Sequence, residues 1–389
     1  MKIAVIGGGP AGLYFSRLMK LHLPTHHVDI FEQNPPNATW GFGVGLGGKA
    51  RDRIRLADSD VHDRITRAMV FHNQQRIHLN GTDILVEYTS DGGAIERLDL
   101  LKILHSACES VGVDVKYNSR IESIDQFKDY DLIVGADGVN SVVRRLNPSA
   151  FGTQTRTLTN FFAWYGVGRA MRPGSLVFRQ TPEGCFVGHY YSYTNSMSTF
   201  VAECDAATWK SAGLDAMSDD QRRSLMEKVF APELAGDPLI DNRSIWRNFP
   251  VVTNKTWSVG NVVLIGDALM SAHFSIGSGT RLSMDDAAAL FEAVHQTSNV
   301  PAAIARFEEI RRPLREQFGA AAEKSFNWYE RLEEVMRQDP IDFVYDFLTR
   351  TERIDDARLA EYAPKFFNMY REAKAKPAKA IAATAAINL

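Results

Sequence analysis

The stretch that most limits what this chain can become is "KIAVIGGGPAGLYFSRLMKL", residues 2–21. "IAVI" is a short β-branched and apolar run, the pattern of a parallel strand buried on both faces. Gly7, Gly9 and Gly12 follow in G-x-G-x-x-G spacing, with Pro10 and Ala11 between the last two. Apolar residues then recur at helical intervals through Leu13, Phe15, Leu18 and Met19. In that spacing the first glycine permits a tight turn and the second lets backbone approach a pyrophosphate. The third lets the helix sit close on the strand, and the helix N-terminus faces phosphate charge. "HVDIFEQN" predicts a second strand ending at Glu32 and Gln33. A carboxylate about 20 residues beyond the last glycine is placed to bind a ribose hydroxyl. The fingerprint predicts a dinucleotide but does not separate NAD from FAD.

Two later stretches repeat the strand-then-glycine pattern. "YDLIVGADGVNSVVRRL" carries an apolar run into Gly135, Asp137 and Gly138, with a helix starting near Ser141. "NVVLIGDALMSAHFSIGSGTRL" carries another into Gly266 and Asp267, then into a loop holding His273, Phe274, Gly277, Ser278, Gly279, Thr280 and Arg281. Between the first two motifs, "ERLDLLKIL" predicts a helix opened by Arg97.

With these three motifs in this order, the sequence resembles the FAD-dependent aromatic hydroxylases, single-component flavoprotein monooxygenases related to p-hydroxybenzoate hydroxylase. The resemblance covers roughly residues 1–330. "WGFGV", "STFVAEC" and "AHFSIGSGT" narrow it to a branch that includes aryl-CoA hydroxylases and a violacein-pathway indole hydroxylase. Common family members carry a His and a Pro in the late loop where this chain has Met270 and Phe274.

The resemblance implies an α/β fold: a Rossmann-like FAD-binding domain of the GR2 type, an inserted β-sheet substrate domain, and C-terminal helices. It implies that Asp267 binds the ribityl or ribose part of FAD, and that Asp137 and Gly138 lie near the pyrophosphate. Arg97 is expected to contact FAD too. The loop from Ser275 to Thr280 would bring backbone N–H groups to the isoalloxazine edge, where they stabilise negative charge on reduced flavin. Arg281 would add positive charge there. The implied reaction uses FAD, NADH or NADPH, and O2 to hydroxylate an electron-rich phenol, aniline, indole or aryl-CoA ring through a C4a-hydroperoxyflavin. The flavin carries that chemistry and the protein orients the ring and excludes water.

Candidate substrate residues follow. His273 and Phe274 are expected to face the ring, with His273 orienting or deprotonating it. His189 and Tyr191 in "VGHYYSY" alternate onto one face of a strand. Trp40, Phe42 and Trp246 are aromatic candidates for stacking. "GVGLGGKARDR" reads as a glycine-rich mobile lid. Its Lys49, Arg51, Arg53 and Arg55 are candidates for an acidic group such as CoA phosphates or a carboxylate.

The chain divides by pattern. Residues 1–72, 97–158 and 250–299 read as a discontinuous FAD-binding domain. Residues 73–96, with turn signals "NG" and "DGG", and 159–249 read as the β-rich substrate domain. "MSDDQRRSLMEKVF" predicts a helix capped by Ser218. Residues 300–375 are helical, with a kink expected at Pro313. Residues 376–389 read as a frayed tail.

A formal net charge of -3 and the lack of a polybasic tract argue against nucleic acid as a partner, and no apolar run spans a bilayer. Cys108, Cys185 and Cys204 are too scattered for a metal site and odd in number, so neither metal nor disulfide is expected. The first strand begins at Lys2, which leaves no room for a leader, and a reducing cytoplasm is expected. Two competing readings keep the fold but change the activity. One is an FAD-linked reductase that inserts no oxygen; the other is a flavin-binding accessory protein. A flavin halogenase would carry W-x-W-x-I-P, which this chain lacks.

Overall fold

A computed structural model describes residues 1–375, apart from the side chains of residues 48–50. The expected frayed tail and the expected role of Lys49 therefore lie outside the described residues.

Two sheets organise the molecule. The first has six strands in the order Ser258–Val259, Val262–Leu264, Leu132–Gly135, Lys2–Ile6, His27–Phe31, Val115–Lys116. All pairings are parallel except the outermost, between Ser258–Val259 and Val262–Leu264. Its central strands are apolar and buried over Ile3–Ile6 and Leu132–Gly135, as a sheet covered on both faces requires. The helix Pro10–His22 leaves the first strand and packs on helices Arg97–Glu109 and Gly279–Gln296.

The second sheet has nine strands and is antiparallel, save for one parallel pairing of Val70–Leu79 with Gly174–Thr181. Its centre is Thr153–Val167, Ser198–Cys204, Gly184–Ser192 and Gly174–Thr181. Alternation splits its side chains cleanly. Tyr165, Phe186, Tyr190, Phe200 and Ala202 pack into a core covered by the segment 206–234. On the other face, Leu176, Phe178 and Val187 join Trp328, Tyr329, Phe343 and Phe347 from the C-terminal helices. The expected order of a Rossmann-like unit, an inserted sheet and terminal helices is thus what forms.

Local readings fared unevenly. Ser218 caps Asp219–Val229 in a reciprocal box with Gln221. Asn80 and Gly81, both at positive φ (46° and 94°), turn the hairpin from Val70–Leu79 into Thr82–Glu96. "DGG" makes no turn: Asp91, Gly92 and Gly93 lie inside the second of these strands, just past a register shift opposite His72 and Gln74. Strand Gly43–Gly45 and the start of Val70–Leu79 belong to the nine-stranded sheet, although both fall before residue 73. The stretch expected to be a glycine-rich lid, residues 43–53, is strand Gly43–Gly45 followed by the start of helix Gly48–Ala57. Ile54 is buried beneath it, and Arg53 grips both oxygens of Asp285 at 2.8 Å, which fixes a segment that composition alone reads as loose. Helix Val300–Tyr329 continues through Pro313. The three cysteines are buried and unpaired.

Candidate active site

The three glycine motifs converge on one cleft at the carboxyl ends of the parallel strands, where open α/β sheets bind ligands. Gly7, Gly9, Pro10, Ala11, Glu32, Gln33, Arg97, Asp137, Gly138 and Asp267 all line it, and Trp40 closes one edge. Gly12 lies just behind: a Cβ there would fall 2.1 Å from the Gly7 carbonyl oxygen. Glu32 fastens the loop, taking the Gly8 amide on Oε2 at 2.7 Å and the Asn34 amide on Oε1 at 2.8 Å.

The cleft has the features FAD needs. Helix Pro10–His22 starts without a side-chain cap, so its first-turn amides remain available to an anion. A Cβ at Gly9 or Gly138 would meet no protein atom within 4 Å, which leaves room for close approach. Asp137 caps the next helix through Oδ2, at 2.6 Å from the Val142 amide, while its buried Oδ1 has no partner. Burial raises the Asp137 carboxyl above its ordinary range. Burial also raises Asp267, against the pull of Arg315 and Arg97. Arg97 is tied to Thr39 by Nε at 2.9 Å.

Asp267 sits in a turn, Gly266–Ala268, that is held by groups sequence reasoning missed. Asp286 accepts the Gly266 amide at 3.0 Å and Arg311 Nε at 2.7 Å. Arg315 Nη2 donates to the Gly266 and Met270 carbonyls at 3.1 and 2.6 Å. Arg144 Nη1 reaches the Ala268 carbonyl at 2.8 Å. A usable signal was present: an Asp pair set directly against the apolar run Ala287–Phe291, and arginines at 311 and 315 spaced for one helix face.

Beyond this loop a cavity of about 850 Å³ opens between the nine-stranded sheet and the C-terminal helices. That size suits a small-molecule site. His189, Val201 and Glu203 form its sheet wall, and Phe274 to Gly277 and Arg281 its loop wall. Tyr329 and Arg350 face them from the helices. His189 is pushed down to about 4 by burial, then by Arg350 and His72, so its imidazole is neutral. Glu203 is pushed up to about 7 by burial and by Glu330, against a hydrogen bond from Asn160. Arg350 is committed to the scaffold through Ser325 Oγ at 3.0 Å and the Ser275 carbonyl at 2.7 Å. Neither Glu203 nor Arg350 stood out in the sequence.

The remaining candidates separate. Phe274 lines the cavity and packs on Phe162 with ring centroids 4.6 Å apart. His273 does not line it. Its Nδ1 accepts the Ser275 amide at 3.2 Å, its ring is enclosed by Phe249, Phe274 and Phe326, and burial pushes it down to about 3. The structure thus makes His273 a loop-shaping side chain rather than one facing the ring. Tyr191 contacts His189 but spends its hydroxyl on the Gly43 carbonyl at 2.9 Å. Phe42 packs against Gly166, and Trp40 stacks under Arg243. Trp246 belongs to the opposite face of the sheet, where its Nε1 donates to Tyr165 at 2.9 Å, so it cannot stack on a ligand in the cavity. Gly277 lines the cavity in a left-handed conformation (φ 56°). Ser278 is the N-cap residue, and Gly279, Thr280 and Arg281 form the first turn, of helix Gly279–Gln296. Among the described residues, Arg281 Nε and Nη2 are buried and find no hydrogen-bond partner.

A family model described as an FAD binding domain matches residues 129–321. Salicyloyl-CoA 5-hydroxylase from a Streptomyces species is 35% identical over 366 residues, which cover 90% of this chain and 70% of the relative. The 3-hydroxy-4-methyl-anthranilyl-[aryl-carrier protein] 5-monooxygenase of Streptosporangium sibiricum is 35% identical over 360 residues, 92% of this chain and 97% of the relative. Protodeoxyviolaceinate monooxygenase of Chromobacterium violaceum is 34% identical over 365 residues, 91% and 95% of the two chains. The solved structure of 2-methyl-3-hydroxypyridine-5-carboxylic acid oxygenase shares the fold, with a TM-score of 0.72 at 18% identity over 92% of this chain and 95% of that one. Among the described residues, no helix is long and apolar enough to cross a membrane.

Proposed function

Because the chain belongs to the FAD-dependent aromatic hydroxylases, monooxygenases that work with NAD(P)H and O2, we propose that the 850 Å³ cavity receives an electron-rich aromatic ring and the glycine cleft receives FAD. When bound and reduced, FAD supplies the activation of O2, from which one oxygen atom enters the ring and the other leaves as water. The chain's own residues do the rest. The first-turn amides after Gly9 hold pyrophosphate, Glu32 a ribose, and Asp267 with Arg97 the chain towards the ring system. Phe274 and the backbone from Ser275 to Gly277 separate cofactor from substrate. Arg281 contributes positive charge on that side, and its two unpartnered donors support the assignment.

The six-stranded unit is proposed as the FAD-binding domain and the nine-stranded sheet as the substrate domain, with the helices after residue 300 serving both. A soluble, cytoplasmic enzyme is the matching setting.

The substrate is proposed to be an aryl thioester, on a CoA or carrier-protein arm. The observation that carries this is the charge at the cavity's helical edge. Arg353 and Arg358 line it, and neither forms a salt bridge among the described residues, while Arg353 stacks on Phe318 at 4.1 Å. Guanidinium groups without a carboxylate partner at a cavity edge suit the phosphates of such an arm. Two of the relatives above act on rings carried in this way. The test is NAD(P)H and O2 consumption by FAD-loaded protein across aryl-CoA thioesters, the matching free acids, and indoles. A thioester should raise both rates together and yield hydroxylated product. Stimulation by the free acid alone would overturn the thioester assignment.

A further inference from the structure

Glu203 is a carboxyl on the cavity wall with one oxygen to spare. It lies on strand Ser198–Cys204, whose neighbouring residues Phe200, Ala202 and Cys204 pack into the core on the far side. Asn160 Nδ2 donates to Glu203 Oε1 at 2.9 Å, and the same amide donates to the Tyr329 carbonyl at 3.0 Å. Two acceptors on one amide nitrogen fix which way Asn160 points. Among the described residues, no donor reaches Glu203 Oε2. Directly across the strand pair lies Val187, and His189 is the diagonal neighbour.

Glu330 shows by contrast what a structural carboxyl looks like here. It stands on the other side of Asn160 and accepts from the amides of Thr159 and Asn160 at 3.0 Å each, and from the Thr159 hydroxyl. Among the described residues, Glu203 caps no helix and pairs with no cation. A buried carboxyl short of donors costs stability. Two carboxyls pushed into such different environments mark different tasks.

We propose that Glu203 Oε2 accepts a hydrogen bond from an N–H or O–H on the substrate's aromatic ring, and so selects rings that carry such a donor. This rests on the monooxygenase reading only in taking the cavity as the substrate's place. Glu203 orients the ring through that bond, while the neutral His189 and the apolar Val187 and Val201 accept the ring edge.

The experiment uses FAD-loaded protein and two probe pairs, indole with 1-methylindole and phenol with anisole. Binding is read by saturation-transfer NMR and by perturbation of the flavin absorbance. The donor-bearing probe of each pair should bind roughly tenfold tighter. The preference should grow as pH rises through about 7, as the carboxyl ionises. The other titratable or charged groups facing it are Glu330 and Tyr329 from one helix, His189 from the neighbouring strand, and Arg350. Glu203→Leu should abolish the preference. Glu203→Gln keeps an acceptor and the shape, so it should retain part of the preference and lose its pH dependence. Equal binding of the paired probes to the native protein overturns the proposal, as does an unchanged preference in Glu203→Leu. If the leucine variant does not fold, a pH dependence that survives in Glu203→Gln overturns it alone. Coupled NAD(P)H and O2 consumption reports on the monooxygenase reading separately, so hydroxylation of a fully alkylated ring would sink the role of Glu203 and leave that reading standing.

Discussion

Arg311 donates from Nε to Asp286 Oδ1 at 2.7 Å, and the pair is almost wholly buried, with 4% of Arg311 and none of Asp286 exposed. Through the Gly266 amide, this pair sets the position of the turn that presents Asp267 to the cleft. Arg311→Leu would leave Asp286 with Arg315, whose Nε is 3.5 Å from Oδ2. A buried pair broken from one side costs about 3–5 kcal/mol. Urea unfolding should show a loss of that order, and FAD should elute from the variant on gel filtration.

Gly9 and Gly12 should separate cofactor binding from folding. A methyl at Gly9 meets no protein atom within 4 Å, and its backbone (φ -81°) tolerates alanine. Gly9→Ala is therefore expected to leave apoprotein stability unchanged or higher by up to ~1 kcal/mol. It should nevertheless weaken FAD binding at least tenfold in a fluorescence titration, because the methyl enters the space for pyrophosphate. Gly12→Ala strikes the Gly7 carbonyl and should lose both.

Glu203 should cost the fold stability at neutral and higher pH. Its carboxyl is raised from 4.5 to about 7 in the folded chain, so the native state holds a proton that the unfolded state releases. Stability then falls as pH rises from about 4.5 to 7, by roughly 3 kcal/mol in all. Glu203→Gln should be more stable than the native protein at pH 8, by up to that amount. The advantage should vanish at pH 4, as measured by urea midpoints across pH.

His273 should leave no mark on the activity profile. It is lowered from 6.5 to about 3, so it stays neutral through the working range. His273→Gln, which keeps an acceptor for the Ser275 amide, should change kcat less than tenfold and leave the kcat/KM profile between pH 5.5 and 8 unshifted. Its effect belongs to acid stability. The native protein loses stability as pH falls from 6.5 towards 3, where unfolded histidine takes up a proton that the folded ring resists. The glutamine variant should lose less over that span.

The cleft was legible because phosphate-binding loops are local. Gly12 meets its tight contact, the Gly7 carbonyl, within the same loop, and the strand before and the helix after announce themselves by period; only the press of the Ala136 carbonyl on Gly7 comes from afar. The cavity was far less legible. Glu203 sits in "STFVAEC" like any strand residue, and only the pairing with Gly184–Ser192 and the cover from helix Val300–Tyr329 turn it inward. His273 misled because a polar side chain on a glycine-rich loop suggests exposure, whereas its neighbour Phe274 and two phenylalanines from other segments, Phe249 and Phe326, enclose it. Trp246 failed for a related reason: it lies just before strand Arg247–Asn254, and only tertiary packing turns its indole to Tyr165 on the face away from the cavity. The lid expected at residues 43–53 is instead tied down by a pairing 232 residues away, Arg53 with Asp285.

The strand order of the parallel sheet carries a consequence for how the protein is made. Leu132–Gly135 is sandwiched between the opening strand and Val262–Leu264, and the clamp on the Asp267 turn comes from as far along as Arg315. On a ribosome adding about 5–20 residues per second, the first glycine loop emerges some tens of seconds before the groups that complete its cleft. Until Val262–Leu264 follows, the apolar strand Leu132–Gly135 has an unsatisfied edge. Synthesis of this enzyme therefore includes a waiting period in which the nascent chain depends on its surroundings to stay unaggregated, and acquisition of the flavin is a late event of biogenesis.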